Sequence, residues 1–174
     1  MAQNYKSILK NINTLIFDID GVFTDNKVIL IPGMEPVRTF SARDGYALQY
    51  AIKKGLRLVI ISGGKSESVR ERLHEIGIED IYLGVQNKKK KLLEFIEEKH
   101  LNTEEMLYMG DDIPDLLVMD MVGLACCPQD AVNEVKSICN YVSPIKGGHG
   151  CVRDIIEQTL KVQGKWMKED AHEW

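Results

Sequence analysis

Residues 14–25 read Thr-Leu-Ile-Phe-Asp-Ile-Asp-Gly-Val-Phe-Thr-Asp, so a short apolar run ends in two carboxylates, Asp18 and Asp20, followed by Gly21. The run Thr14–Phe17 is apolar enough to be a strand buried on both faces, as in a parallel sheet. Alternate residues of a strand point to opposite faces, so the two carboxylates should diverge once the strand breaks at Gly21. Open α/β folds place their chemistry at this carboxyl edge of the sheet.

Composition and charge exclude several classes of protein. At 174 residues the chain fits one domain, residues 1–174, with a core of its own. The net charge of −4 gives no overall attraction to nucleic acid or to an anionic membrane, and no apolar run reaches the roughly 20 residues of a membrane span. The N-terminus shows no apolar signal segment, which predicts a cytoplasmic location. The four cysteines form no Cys-x-x-Cys pair, which predicts reduced thiols rather than zinc or disulfides.

The rest of the chain alternates between apolar strands and amphipathic helices. The pattern predicts strands at Thr14–Phe17, Leu56–Ile61, Ile81–Leu83, Met106–Met109 and Gly123–Ala125. It predicts helices at residues 46–54, Ser66–Ile76, Lys89–Lys99, Leu116–Val122, Ala131–Ile138 and about 152–160, followed by a polar tail. Repeated βα units imply a doubly wound, mostly parallel, Rossmann-like sheet with helices on both faces.

Two segments interrupt that rhythm. Lys27–Ile31 and Val37–Phe40 flank the turn signal Pro32-Gly33, which predicts a β-hairpin inserted at about residues 25–40. A glycine-rich segment then precedes the final helix and the polar tail, and these three parts together span about residues 144–174 of the same domain.

Polar residues follow four of the predicted strands, and parallel strands bring such residues to one edge of the sheet. In chain order these are Asp18 and Asp20, then Ser62-Gly63-Gly64, then Lys88, then Gly110-Asp111-Asp112 with Asp115 one turn on. The first, second and fourth groups directly follow a strand, whereas Lys88 comes after the turn that leaves the third.

This set suits phosphoryl transfer. A phosphate dianion repels a carboxylate nucleophile, so positive charge must balance it. Acids from two strands can hold Mg²⁺, and Lys88 can add a second positive charge while Asp18 attacks phosphorus in line. Ser62 and the backbone N–H groups near Gly63 can bind the phosphoryl oxygens. Asp20 can protonate the leaving alcohol and later deprotonate the attacking water.

These motifs resemble the haloacid dehalogenase superfamily of phosphatases. The matching stretches are Asp-x-Asp-Gly-Val-x-Thr-Asp, Ser62-Gly63, Lys88 and Gly-Asp-Asp-x-x-Asp, in the right order over nearly the whole chain. The resemblance implies that Asp18 is the nucleophile, that Asp20 is the acid/base, and that Ser62 and Lys88 bind the phosphoryl group. It implies that Mg²⁺ is held by Asp18, the backbone carbonyl of Asp20, and Asp111. Asp112 and Asp115 would support these groups.

Within that superfamily the chain is similar to a capless, tetrameric family that acts on 3-deoxy-D-manno-octulosonate 8-phosphate. The similarity rests on the lack of room for a cap domain, on the hairpin, and on the segments Ser41–Tyr46 and Lys146–Arg153. It implies a homotetramer whose hairpins form a central barrel, with active sites shared between subunits and the glycine-rich segment acting as a lid over a neighbour's site. It also implies contacts to the sugar-acid phosphate from Asp20, Lys88, Ser41, Ala42, Arg43, Asp44, Gly45 and Arg72.

Two positions depart from the family pattern, because Gly64 and Gln49 stand where members often carry arginine. Relatives that act on nine-carbon keto-acid 9-phosphates of the sialic acid type share the same core, and Arg43-Asp44-Gly45 favours the eight-carbon substrate. The resulting hypothesis is Mg²⁺-dependent hydrolysis of the eight-carbon phosphate in lipopolysaccharide precursor synthesis. Two alternatives are a phosphoacceptor receiver domain, which the acid/base Asp20 disfavours, and a silent assembly domain, which the intact motifs disfavour.

Overall fold

The computed structural model describes residues 4–173 and contains one parallel sheet in the order β3-β2-β1-β4-β5-β6. Every pair of neighbouring strands in it is parallel. The strands are β1 (Thr14–Phe17), β2 (Arg57–Ile61), β3 (Asp80–Tyr82), β4 (Met106–Met109), β5 (Leu124–Cys127) and β6 (Tyr141–Val142). The predicted doubly wound, Rossmann-like sheet is therefore confirmed.

Helices cover both faces of the sheet. They are α1 (Tyr5–Leu9), α2 (Ala42–Lys53), α3 (Glu67–Ile76), α4 (Lys88–Lys99), α5 (Leu116–Met119), α6 (Asn133–Ile138) and α7 (Cys151–Val162). The side chains of β1 alternate between two apolar clusters, with Leu15 and Phe17 facing α1, α2, α3 and α7, and Ile16 facing α4, α5 and α6. Because both faces are covered, every residue of β1 is buried, as its apolar sequence predicts. None of the helices within residues 4–173 has the length and apolar character needed to cross a membrane.

The predicted elements differ from the observed ones mainly at their ends. Helix α2 begins at Ala42, four residues before its predicted start, because Gly45 made the first turn resemble a loop. Helix α5 ends at Met119 rather than at residue 122, and β5 continues to Cys127. The short elements α1 and β6 were not predicted, since five and two residues are too few to show a period.

The predicted hairpin at residues 25–40 is reduced to one antiparallel bridge. Ile29 and Val37 exchange two backbone hydrogen bonds of 3.0 Å, and no longer strand forms at the predicted positions 27–31 and 37–40. The apolar side chains around the bridge are exposed, including Leu30 at 75%. A two-stranded ribbon is marginal in water by itself, so this segment needs further strands or a packed surface to extend its pairing.

The glycine-rich segment packs on its own chain. Gly148 donates its N–H to the carbonyl of Val22 at 3.0 Å. A Cβ at Gly147 would lie 1.9 Å from the carbonyl oxygen of Gly21, so a side chain does not fit there. The segment thus braces the loop that follows β1, and its expected second role, as a lid over a neighbour's site, remains a prediction.

The C-terminal tail folds back over α2. Asp170 forms an ion pair with Lys54 at 2.6 Å, and the carbonyl of Lys165 accepts a hydrogen bond from the Tyr50 hydroxyl at 3.2 Å. Trp166 packs edge-on against Tyr50 with ring centroids 5.5 Å apart. Trp166, to which the sequence assigned no role, is therefore the anchor of the tail.

Replacing Trp166 with alanine should lower the free energy of unfolding by about 2 kcal/mol, less than for a fully buried aromatic residue because this side chain is half-buried. Urea denaturation followed by circular dichroism measures the change. Met167→Ala is the matched control, since Met167 is 61% exposed and its loss should shift stability by no more than about 0.5 kcal/mol. Equal stability of the two variants would contradict an anchoring role for Trp166.

Candidate active site

The residues predicted at the strand ends meet in one cavity of about 530 Å³ at the carboxyl edge of the sheet. Each predicted strand end contributes to its lining: Asp18, Asp20, Ser62, Gly63, Lys88, Asp111, Asp112 and Asp115. The cavity also contains Asn26 and Gly64. The parallel topology is what gathers these residues, because β1, β2 and β4 are adjacent in the sheet.

Lys88 forms two ion pairs at the centre of the cavity. Its Nζ lies 2.9 Å from Asp18 Oδ1 and 2.7 Å from Asp115 Oδ1. Burial acts to lower the pKa of Lys88, but the charges of Asp18 and Asp115 outweigh it and raise this pKa overall. Lys88 is therefore a buried ammonium, held as the first residue of α4 with Asn87 capping the helix through its side chain.

Asp115 accepts hydrogen bonds from several groups around the cavity. Its Oδ1 accepts hydrogen bonds from Lys88 Nζ and from the Tyr108 hydroxyl at 2.6 Å, and its Oδ2 accepts the N–H of Asp111 at 3.1 Å. A Cβ at Gly110 would lie 2.4 Å from Asp115 Cγ, so glycine is required for this close approach. Both carboxylate oxygens are occupied, and Asp115 therefore orients Lys88 and the loop that carries Asp111.

Three buried carboxylates form a possible metal site. One oxygen from each of Asp18, Asp111 and Asp115 lies within 4.8 Å of the others. Three carboxylates against one ammonium leave excess negative charge, and an all-oxygen donor set suits Mg²⁺. Since Asp115 is committed to its hydrogen bonds, Asp18 and Asp111 are the side chains that would hold the ion. The backbone carbonyl of Asp20 remains the predicted third ligand.

Two of these carboxyl groups have raised pKa values. Burial raises the pKa of Asp18 to about 6, although Lys88 acts in the opposite direction. Burial also raises the pKa of Asp111 to about 7, opposed by a hydrogen bond from the Asn26 amide and reinforced by the charges of Asp18 and Asp115. Without a cation, both groups bind protons more readily than ordinary carboxylates do, so a metal ion at this site must displace protons.

Asp20 diverges from Asp18, as the strand geometry predicts. Its carboxylate accepts two hydrogen bonds from Arg38, with Nε 2.6 Å from Oδ1 and Nη2 3.1 Å from Oδ2. The Asp20 side chain is 35% exposed, whereas the carboxyl of Asp18 is buried beside Lys88. The two acids of the motif therefore each face a different cation.

The loop predicted to bind phosphate lies between β2 and α3. Ser62 is buried at the end of the second strand, and its hydroxyl oxygen accepts the N–H of Gly64 at 3.3 Å. The N–H of Gly84 donates to the carbonyl of Gly64 at 2.8 Å, which ties this loop to the segment after β3. Asp112 is exposed and caps the short helix Ile113–Asp115 through its side chain.

Sequence reasoning missed three residues at this site. Arg38 lay in a segment interpreted as half of a hairpin, and a single arginine there carried no signal. Tyr108 looked like an ordinary core residue of a strand, yet its hydroxyl donates a hydrogen bond to Asp115. Asn26 donates to Asp111 Oδ2 at 2.7 Å and has a positive φ of 63°, a conformation that asparagine tolerates better than most residues.

The predicted sugar-binding residues lie outside this cavity in the single chain. Ser41 precedes α2 as its N-cap, and Ala42 and Arg43 are exposed on its first turn. Asp44 is buried and accepts the N–H of Arg153 at 2.7 Å, at the start of α7. Burial raises the pKa of Asp44 to about 6. This carboxylate therefore ties α2 to α7.

Gly45 and Arg72 lie together on the other side of α2. A Cβ at Gly45 would lie 3.6 Å from Arg72 Nη2, and Arg72 pairs with Glu75 at 3.2 Å on the surface of α3. Arg72 also lines a second groove, of about 550 Å³, which it shares with Arg38. Substrate contacts from residues 41–45 and Arg72 stay a prediction.

Comparison with known proteins identifies relatives over the whole domain. The family model of haloacid dehalogenase-like hydrolases matches residues 80–155. The 3-deoxy-D-manno-octulosonate 8-phosphate phosphatase of Escherichia coli K12 is 35% identical over 156 residues, which cover 90% of this chain and 83% of that protein. The crystal structure of the Yersinia pestis phosphatase of the same name has a TM-score of 0.91 and 32% identity, and the match covers 95% of this chain and 89% of that one.

A third relative was solved with ligands. The 3-deoxy-D-manno-octulosonate 8-phosphate phosphatase of Moraxella catarrhalis was crystallised in complex with a magnesium ion, a phosphate ion and a KDO molecule. It matches this chain with a TM-score of 0.89 and 28% identity, covering 92% of each chain. The fold is thus shared with proteins named for one reaction.

Mg²⁺ should bind more tightly as the pH rises from 5.5 to 8, because Asp18 and Asp111 must lose the protons that their raised pKa values retain. The folded state binds more protons than the unfolded state between the ordinary carboxyl pKa and about 7, so the metal-free protein loses stability as the pH rises through this range. Calorimetric titration in two buffers of different ionisation enthalpy should detect proton release, and the Mg²⁺-induced rise in Tm should be larger at pH 8.

Asp111→Asn should remove most of the Mg²⁺-induced rise in Tm, both at pH 5.5 and at pH 8. Asp170→Asn is the control, because Asp170 is a carboxylate of the tail, paired with Lys54 away from the cavity. A Mg²⁺ affinity that is independent of pH, or one unchanged in Asp111→Asn, would contradict the assigned site.

Proposed function

We infer the function of this chain from its family. The chain belongs to the haloacid dehalogenase-like hydrolases and, within them, to the 3-deoxy-D-manno-octulosonate 8-phosphate phosphatases. It is a Mg²⁺-dependent phosphoric monoester hydrolase that releases phosphate from 3-deoxy-D-manno-octulosonate 8-phosphate. The observation that carries this conclusion is the cavity in which Asp18, Lys88 and Asp111 meet, in a chain 35% identical to a phosphatase of that name.

The first half-reaction forms a phosphoaspartate. A carboxylate oxygen of Asp18 bonds to phosphorus as the bond from phosphorus to the sugar oxygen breaks. Mg²⁺ held by Asp18 and Asp111 supplies positive charge that favours approach of the phosphate dianion. Lys88 adds a fixed positive charge beside Asp18, and Ser62 with the N–H groups after it offers hydrogen bonds to the phosphoryl oxygens.

The second half-reaction returns Asp18 to its free state. Asp20 gives its proton to the leaving sugar oxygen in the first step and then accepts a proton from the attacking water. The water oxygen bonds to phosphorus, and the bond from phosphorus to Asp18 breaks. Asp20 is partly exposed and paired with Arg38, whereas Asp18 lies in the buried ion pair with Lys88 before the reaction, so the two acids can take different roles.

Three further features belong to the same proposal. The chain forms a homotetramer through the exposed apolar segment around Ile29 and Leu30, and a neighbouring subunit completes each site with residues 41–45 and Arg72 contacting the sugar acid. The enzyme acts in the cytoplasm, and its product feeds lipopolysaccharide precursor synthesis. The support for a shared site is that residues 41–45 lie outside the cavity of their own chain.

Phosphate release should be fastest from 3-deoxy-D-manno-octulosonate 8-phosphate, slower from nine-carbon keto-acid 9-phosphates, and slowest from simple sugar phosphates, all in the presence of Mg²⁺. Asp18→Asn should abolish turnover on every substrate because the nucleophile is lost, while circular dichroism shows an intact fold. Comparable rates on all substrates would remove the substrate assignment, and normal turnover by Asp18→Asn would remove the phosphoaspartate mechanism.

Leu30→Glu should dissociate the tetramer, since a charge would replace a side chain that is 75% exposed in the single chain. Sedimentation velocity measures the change. Leu93→Glu is the matched control, because Leu93 is 49% exposed on α4, away from the bridge. A wild-type protein that sediments as a monomer would end the shared-site proposal.

A further inference from the structure

Arg38 holds the carboxylate of Asp20 in a bidentate pair. Its Nε and Nη2 reach the two different oxygens of Asp20, at 2.6 and 3.1 Å. Within residues 4–173 these are the hydrogen bonds that Asp20 receives on its carboxylate. Such a fork fixes both the position and the plane of a carboxylate, which a single contact from a lysine does not.

Contacts before and after Arg38 in the chain fix the position of the segment that carries it. Val37 is bridged to Ile29, and the ring of Phe40 stacks on buried Phe23 with centroids 5.6 Å apart. Nη1 of Arg38 also donates to the carbonyl of Pro36 at 3.2 Å. The Arg38 side chain is 10% exposed, so its guanidinium is placed before any substrate arrives.

Gly64 leaves the space in which this pair lies. A Cβ at position 64 would lie 3.2 Å from Asp20 Oδ2 and 3.4 Å from Arg38 Nη2. A larger residue there would press on both partners. Gly64 and Asp20 both line the cavity that contains Asp18, so the carboxylate held by Arg38 borders the reaction site directly.

We propose that Arg38 is a positioning residue that aims the Asp20 carboxylate at the leaving oxygen and then at the attacking water. This rests on the proposed function, in which Asp20 is the acid and the base. Each carboxylate oxygen has two lone pairs, and the fork from Arg38 uses one on each. The remaining lone pairs can carry the proton that goes to the sugar oxygen and the proton that comes from water.

The ion pair between Arg38 and Asp20 fixes the position of the Asp20 carboxylate more than it stabilises the folded protein. The Asp20 side chain is 35% exposed, and ion pairs that reach solvent contribute little to the free energy of unfolding. Misplacement of an acid or base, in contrast, removes part of the roughly 10²- to 10⁴-fold rate factor that proton transfer contributes. Loss of Arg38 should therefore reduce turnover while the protein stays folded.

Two leaving groups separate the two roles of Asp20. The sugar oxygen of 3-deoxy-D-manno-octulosonate 8-phosphate needs a proton to depart, whereas nitrophenolate departs without one. In Arg38→Met, kcat on the sugar phosphate should fall about 100-fold. With p-nitrophenyl phosphate, rapid mixing should show a burst of nitrophenolate that approaches one per active site, because Asp18 is still phosphorylated. Slow turnover should follow the burst, because hydrolysis of the phosphoaspartate still needs a well-placed base.

Two further variants complete the test. Arg38→Lys, which keeps the charge and loses the fork, should recover part of the steady-state rate. Arg57→Met is the matched control, because Arg57 pairs with Asp80 at 3.6 Å at the start of β2, outside the cavity, and should behave as wild type.

Three outcomes would count against these ideas. Wild-type kinetics in Arg38→Met would overturn the positioning role. Equal loss of burst amplitude and steady-state rate, with a lowered Tm, would assign Arg38 a purely structural role and overturn the inference as well. Absence of any phosphate release by the wild-type enzyme would instead remove the proposed function itself.

Discussion

The ion pairs of one buried ammonium, Lys88, determine how the rest of the site is built. Lys88 contacts Asp18 and Asp115, and an oxygen of Asp111 lies within 4.8 Å of both acids, so three carboxylates cluster around a site with one ammonium. Like charges in a site shielded from water repel strongly, and this repulsion together with burial keeps the pKa values of Asp18 and Asp111 high. The site is therefore electrostatically complete only with protons or a divalent cation, which makes metal binding a consequence of the charge balance.

Glycines allow these charges to approach each other. A Cβ at Gly21 would lie 2.0 Å from Asp111 Oδ2, and one at Gly110 would lie 2.4 Å from Asp115 Cγ. The loop after β1 is then braced by the glycine-rich segment, whose Gly147 lies against the Gly21 carbonyl. Residues more than 100 positions apart thus fix one another, and the backbone, rather than long side chains, sets the distances between the acids.

The sequence predicted the parallel sheet and most of the cavity because both depend on local patterns: apolar strands, the acids that end them, and Lys88 at a helix start. It could not reveal Arg38 or Tyr108, whose roles depend on a salt bridge across 18 positions and on a buried hydroxyl that donates to Asp115. The expected hairpin formed only one bridge, and most of its apolar side chains, Leu30 among them, stay exposed in the single chain. Residues 41–45 were predicted as substrate contacts from resemblance, and in the single chain they lie outside the cavity.

Two aspartates separated by one residue can perform different chemistry because their surroundings differ. Asp18 is buried against Lys88, whose charge balances its own, and it has little contact with solvent. Asp20 is turned to the partly open side and held there by a guanidinium that leaves lone pairs free. A receiver domain has reason to keep its phosphoaspartate, whereas an acid/base fixed beside the nucleophile promotes attack by water. The orientation of Asp20, more than the presence of Asp18, is therefore what favours a hydrolase over a phosphoacceptor.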